Sequence, residues 1–207
     1  MKKIVVIAGG GTGGHIYPAL AIAEALKIKD SEVEIHFVGT GQGLEAKIIP
    51  SYGYPLHFVP VGMLNSNVNL VTRIKTLLLL PFAFLKALWL VFKLKPNLVL
   101  GVGGYASAPM VFLSSLLRKK TYLWEPNAYP GLANRYLSKW VDASLVVFES
   151  AKEYLQSKNF YKVGLPVRKE IESLAKKDVA LSKDDAFKIL IFGGSQGALR
   201  INEVFCE

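Results

Sequence analysis

The chain has 207 residues, 51% of them hydrophobic, which is enough for one complete domain of ~100–200 residues and some remainder. A formal charge of +9 calls for an anionic partner, and charge alone does not choose among nucleic acid, an acidic bilayer and phosphorylated small molecules. The single cysteine, Cys206, excludes an internal disulfide, and Met1 runs straight into a strand-like segment without the regions of a signal peptide, so a cytoplasmic location is expected. Short apolar runs bounded by glycine, proline or charge follow in chain order: KIVVIAGG, VEIHFVGT, LHFVPVG, NLVLGVGG, TYLWEPN, ASLVVFES and KILIFGGS. They predict strands buried on both faces, as in a parallel sheet. Helix-period segments lie between them, at Tyr17 to Ile28, Asn69 to Lys95, Ala108 to Arg118, Tyr129 to Lys139 and Ala151 to Ser157. That alternation predicts an α/β fold with a Rossmann-like, doubly wound parallel sheet.

The segment Leu77 to Phe92 is the longest apolar stretch, but Pro81 and Lys86 interrupt it and it falls short of the ~20 residues of a spanning helix, so it is not expected to cross a bilayer. From Arg73 to Lys95 every charge is basic and the rest is apolar nearly all round. A helix of that kind is either buried in a large core or laid with one face in the interface of an anionic membrane. From Leu165 to Asp185 charge rises and large apolar residues thin out, the composition of a connection between domains. The expected organisation is a first domain over 1–164, a linker over 165–187, and the first strand and glycine turn of an incomplete second domain over 188–207.

Three predicted strands run into glycines and then a helix: Gly9 to Gly14 with His15, Gly101 to Gly104 with Tyr105, and Gly193 to Gly197 around Ser195. In an open α/β sheet such turns fall at the carboxyl ends of the strands, where ligands bind and where backbone N–H groups at a helix start attract phosphate. Each could equally be a tight packing turn; three in one chain favour the anion cradle. Gly9, Gly11 and Gly14 fit the spacing of a dinucleotide fingerprint, so an NAD-dependent oxidoreductase has to be weighed. That reading wants a carboxylate near the end of the second strand, whereas Glu34 stands at its start. No glycine turn carries the Gly-Lys-Ser/Thr ending of a Walker P-loop. No Cys/His cluster suggests a metal site, and no motif supports nucleic-acid binding.

The runs GGGTGGHIYPALAIAEAL, GVGGYASAP, EPNAYPGLANR, GLPVR and GGSQGALRIN, in this order and spacing, resemble glycosyltransferase family 28 over essentially the whole chain. The resemblance implies a GT-B architecture, two Rossmann-like domains facing across a cleft, with the acceptor and membrane on the amino-terminal side and most of the donor on the other. It implies inverting transfer of N-acetylglucosamine from UDP-N-acetylglucosamine to the C4 hydroxyl of N-acetylmuramic acid in a polyprenyl-pyrophosphoryl acceptor, lipid I, without a cofactor. It implies a peripheral place on the cytoplasmic face of a bacterial inner membrane, reached through the Arg73–Lys95 region. A non-catalytic lipid-binding half that works with a separate donor-binding partner stands as the alternative.

By the same resemblance His15 is the general base. By position alone it could simply donate to a nearby carbonyl, although imidazole titrates in the range such a base needs. Thr12, Gly13 and Gly14 match positions that approach the donor. Tyr105, Glu125 and Asn127 match acceptor-side positions at strand ends; Asn134 matches too, while Trp124 and Pro126 depart from the His and Gln usual in the family. Arg168 would offer a planar, always charged fork to a pyrophosphate, and Ser195 a hydroxyl at the start of the second domain's first helix.

Overall fold

A computed structural model describes residues 3–62, 70–168, 171–173, 189, 191 and 199–206. Seven parallel strands form one sheet: β1 (Ile4–Ala8), β2 (Glu34–Gly39), β3 (Leu56–Phe58), β4 (Leu98–Gly101), β5 (Lys120–Glu125), β6 (Ala143–Val146) and β7 (Phe160–Lys162). Their order across the sheet is β3-β2-β1-β4-β5-β6-β7. The chain therefore winds outward one way from β1, then returns and winds outward the other way from β4, which puts the topological switch point between β1 and β4.

Helices α1 (Gly13–Lys29), α2 (Glu45–Ser51), α3 (Leu70–Leu94), α4 (Ser107–Leu116) and α5 (Leu132–Leu137) make the connections, with 3-10 turns at Ser138–Trp140 and Glu149–Tyr154. Alternation along the strands separates two cores. Val5 and Ile7 of β1 join Ile35 and Phe37 of β2 beneath Ile16, Ala19, Leu20 and Ala23 of α1. Val6 and Ala8 join Val38 and Val99 on the opposite face, beneath Ala83, Ala87, Leu90 and Val91 of α3 and Met110 and Val111 of α4. The central strands β1 and β2 are thus apolar on both sides because a helix layer covers both.

Among the described residues six expected strands and four expected helices are present, the helix expected over Ala151 to Ser157 is instead the 3-10 turn at Glu149–Tyr154, and α6 (Leu199–Cys206) is the helix expected after the third glycine turn; two elements that sequence reading passed over are added, α2 and β7. The expected strand KILIFGGS lies, but for Ile189 and Ile191, outside the described residues, as does most of the linker. The chain divides into two compact units, residues 1–169 and 170–207, the second carrying α6.

Helix α3 is the one helix among the described residues long and apolar enough to cross a membrane. Its Ala83, Ala87, Leu90 and Val91 are core, however, while Val71, Leu78, Phe82, Leu85 and Phe92 are each more than 60% exposed. The segment that reads as apolar all round is therefore a sheet-covering helix with a second apolar face left open. Lys86 and Lys93 lie over the ring of Trp89 on that face, 4.2 and 4.6 Å from its centroid. Beneath α3, His57 Nε2 and His36 Nδ1 share a hydrogen bond at 3.0 Å, and His36 Nε2–H donates to Glu34 Oε1 at 2.9 Å. Glu34 opens β2, at the opposite end of the sheet from the glycine turns, and so is not placed to hold a ribose at them.

Candidate functional site

The turns after β1 and β4 meet at the switch point and interlock backbone to backbone. Val102 N–H donates to Ala8 O at 2.9 Å. Gly104, at φ +81°, lies so close to the first turn that a Cβ there would be 2.7 Å from Gly10 O, and a Cβ on Gly103 would be 2.9 Å from His15 Nε2. Only glycine fits contacts of this kind.

His15 sits in the first turn of α1, half-buried, and its Nδ1 is 3.2 Å from Gly10 O. A carbonyl can only accept, so Nδ1 carries the proton and the neutral ring keeps its lone pair on Nε2. The two readings of this histidine, donor to a carbonyl and proton acceptor, are therefore compatible: the first sets up the second. Nε2 stands beside Gly103 at a cavity of about 210 Å3 whose other walls are Gly104, Tyr105, Glu125, Asn127 and the start of α5.

Glu125 ends β5 and is 1% exposed. Its Oε1 accepts from Asn127 N–H and Asn127 Nδ2–H, both at 2.9 Å, and its Oε2 from Gly131 N–H at 3.1 Å and Asn134 Nδ2–H at 2.9 Å. The EPNAYPGLAN segment is wrapped around this carboxylate, so Glu125 shapes the cavity wall through its neighbours. Asn134 Nδ2 also donates to Trp124 O, which leaves its buried Oδ1 without a partner among the described residues. Trp124 itself is core, 1% exposed. Tyr105 is half-buried and packs on the α4 side of the core while lining the cavity.

Thr12 caps α1 without a side-chain hydrogen bond, and the N–H groups of Gly13 and Gly14 belong to the helix's first turn, where no intrahelical partner exists. Gly11 N–H is already taken: it donates to Glu45 Oε2 at 2.8 Å. The carboxylate of Glu45 is fully buried under the turn, and sequence reading missed it; the glycines at 39, 41 and 43 just ahead of it were the available signal. Arg168 lies against α1, its guanidinium 4.7 Å from the ring centroid of Tyr17. Ser195 lies outside the described residues. Among the described residues no group of three His, Cys, Asp or Glu side chains is placed to hold a metal ion.

This doubly wound domain, with its cavity at the carboxyl edge between two interlocked glycine turns, has the architecture of the amino-terminal half of a GT-B glycosyltransferase. Residues 5–146 match the glycosyltransferase family 28 N-terminal domain, and the chain belongs to that family. It is 49% identical over all 207 residues to the UDP-N-acetylglucosamine–N-acetylmuramyl-(pentapeptide) pyrophosphoryl-undecaprenol N-acetylglucosamine transferase of Bdellovibrio bacteriovorus, covering 57% of that protein. The Carboxydothermus hydrogenoformans protein of the same name is 45% identical over 97% of this chain and 55% of its own length. The chain thus spans about half the length of the curated relatives it matches. The crystal structure of Acinetobacter baumannii MurG superposes with a TM-score of 0.64 at 25% identity, covering 80% of this chain and 46% of that one. A UDP-N-acetylglucosamine 2-epimerase from Rickettsia bellii shares the fold, with a TM-score of 0.56 at 17% identity.

Proposed function

We propose that this chain forms the acceptor side of an inverting transferase that moves N-acetylglucosamine from UDP-N-acetylglucosamine to the C4 hydroxyl of N-acetylmuramic acid in undecaprenyl-pyrophosphoryl-MurNAc-pentapeptide, converting lipid I to lipid II. The observation that carries the reading is His15, whose Nδ1 is committed to Gly10 O and whose Nε2 is left with its lone pair at the cavity. In the step, Nε2 takes the proton of the C4 hydroxyl, the oxygen forms a bond to the anomeric carbon, and the bond from that carbon to the diphosphate breaks, releasing UDP with inversion. Thr12, Gly13 and Gly14 offer helix-start donors to the departing diphosphate, and Arg168 and Ser195 supply further anion contacts. Tyr105, Glu125 and Asn127 act on the acceptor side, Asn127 by contact and Glu125 by holding the wall in shape. The names borne by the relatives support the choice of sugar and lipid.

A lipid-linked acceptor requires a bilayer contact, and the open face of α3 supports one. Its exposed Leu78, Phe82 and Leu85, flanked by Lys86 and Lys93, have the composition of an interfacial helix at an anionic surface. The protein would then sit peripherally on the cytoplasmic face of the bacterial inner membrane.

The deciding experiment measures transfer of radiolabelled N-acetylglucosamine to lipid I by the natural protein that carries these residues and by its His15→Ala variant. Loss of a general base lowers kcat by about 10²- to 10⁴-fold. A variant that transfers at the native rate removes His15 as the base.

A further inference from the structure

The peptide unit joining Gly10 to Gly11 is gripped from both sides. Its carbonyl accepts from His15 Nδ1–H at 3.2 Å, and its N–H donates to Glu45 Oε2 at 2.8 Å. Glu45 is 0% exposed, and its other contacts are Thr40 N–H at 3.0 Å and Thr40 Oγ1 at 2.8 Å, both to Oε1. Burial alone would raise this carboxyl; the hydrogen bonds from Gly11 and Thr40 outweigh it and hold the group below the usual carboxylate value, so it is ionised at neutral pH. The surrounding turns make room for it: a Cβ on Gly10, Gly39 or Gly43 would run into the Glu45 side chain.

No cation stands among these partners, so the charge is met by N–H and O–H dipoles alone. Here the charge is aimed at a peptide dipole. A carboxylate pulling on the N–H end shifts electron density towards the carbonyl oxygen at the other end, which strengthens that oxygen as an acceptor. The oxygen in question is the partner of the His15 ring.

We propose that Glu45 is the positioning residue for His15, acting through the Gly10–Gly11 peptide as a carboxylate–peptide–imidazole chain that fixes the Nδ1–H tautomer and stabilises the imidazolium once Nε2 has taken a proton. The logic is that of a carboxylate orienting a catalytic imidazole, with one amide interposed. It rests on the reading of His15 as base, and the test separates the two.

Nitrogen NMR of the imidazoles reports the tautomer directly in the 207-residue chain at about pH 8.5, where a histidine of ordinary pKa is neutral. His15 is expected in the Nδ1–H form in the native chain and redistributed towards Nε2–H in Glu45→Gln, while His36 and His57 serve as internal controls for the fold. Glu45→Asp, which keeps the charge, restores part of the native ratio. In the natural protein Glu45→Gln lowers kcat about 10- to 100-fold with KM unchanged, the range for partners one shell removed. The double variant with His15→Ala is no slower than His15→Ala alone. A folded Glu45→Gln chain with the native tautomer ratio overturns the proposal. Should that variant unfold, the native chain decides: the Gly11 amide resonance must move as the His15 ring is protonated, and a stationary Gly11 overturns it as well. If His15→Ala transfers at the native rate while Glu45→Gln still shifts the tautomer, the base assignment falls and the hydrogen-bonded chain stands.

Discussion

Replacing Gly104 with alanine tests whether the two glycine turns are as tightly interlocked as the geometry says. The residue has φ +81°, and the added methyl would lie 2.7 Å from Gly10 O, a backbone atom that no rotamer change can move aside. The left-handed conformation costs alanine about 1–2 kcal/mol, and forcing a methyl into a filled space costs about 1–3 kcal/mol more. A loss of about 2–5 kcal/mol follows, and at about 2–4 °C per kcal/mol for a chain of this size the melting temperature should fall by about 4–20 °C. Thermal unfolding followed by circular dichroism measures it. Gly164→Ala is the control, because its methyl would meet nothing within 4 Å, and it should stay within about 0.5 kcal/mol of the native chain. If Gly104→Ala melts within about 2 °C of the native chain, the turns are not in contact and the cavity described between them loses its floor.

Two further outcomes follow from side chains away from the cavity. Burial, then the neighbouring His36, Lys93 and Lys86, hold His57 below the ordinary imidazole value of 6.5, so between its folded and unfolded titrations the unfolded chain binds more protons. Stability is therefore fully present above pH 6.5 and declines below it; urea melts at successive pH values should show the decline, and His57→Gln should lessen it, equal acid sensitivity in that variant counting against the assignment. Phe82→Glu or Leu85→Glu on the open face of α3 should abolish sedimentation with anionic vesicles while leaving the melting temperature near native, and native binding should weaken as salt is added; vesicle binding that survives either substitution would move the membrane contact elsewhere.

The sheet was legible because its strands are apolar on both faces: runs such as KIVVIAGG admit little but a buried parallel strand, and the structure covers Val5 and Ile7 with α1 and Val6 and Ala8 with α3 and α4. Strand β7 escaped notice because it has three residues, two of them exposed, and an edge strand needs no such run. Helix α2 escaped because Gly41 and Gly43 lead into it and Pro50 sits inside it, all of which read as loop. His15 could be singled out from its place after a glycine turn, but its tautomer could not, since that depends on where Gly10 O points in space. Glu45 is the harder case. A lone glutamate ahead of an apolar segment looks like a solvated helix start, and only the fold brings it beneath a turn 34 residues earlier in the chain. Glu125 was found for its motif, yet its wholly internal hydrogen bonding shows only in three dimensions.

On the proposed function, the direction in which α3 runs has a consequence for how a lipid-linked acceptor would arrive. As the crossover between parallel strands β3 and β4, this 25-residue helix, about 37 Å long, lies antiparallel to the sheet it covers, so its first turns stand at the edge that carries the cavity. Resting lengthwise on a lipid surface, it would hold the strands level with that surface and turn the cavity mouth sideways. A head group tethered in the bilayer could then slide in by two-dimensional diffusion without ever lifting its tail out of the oil.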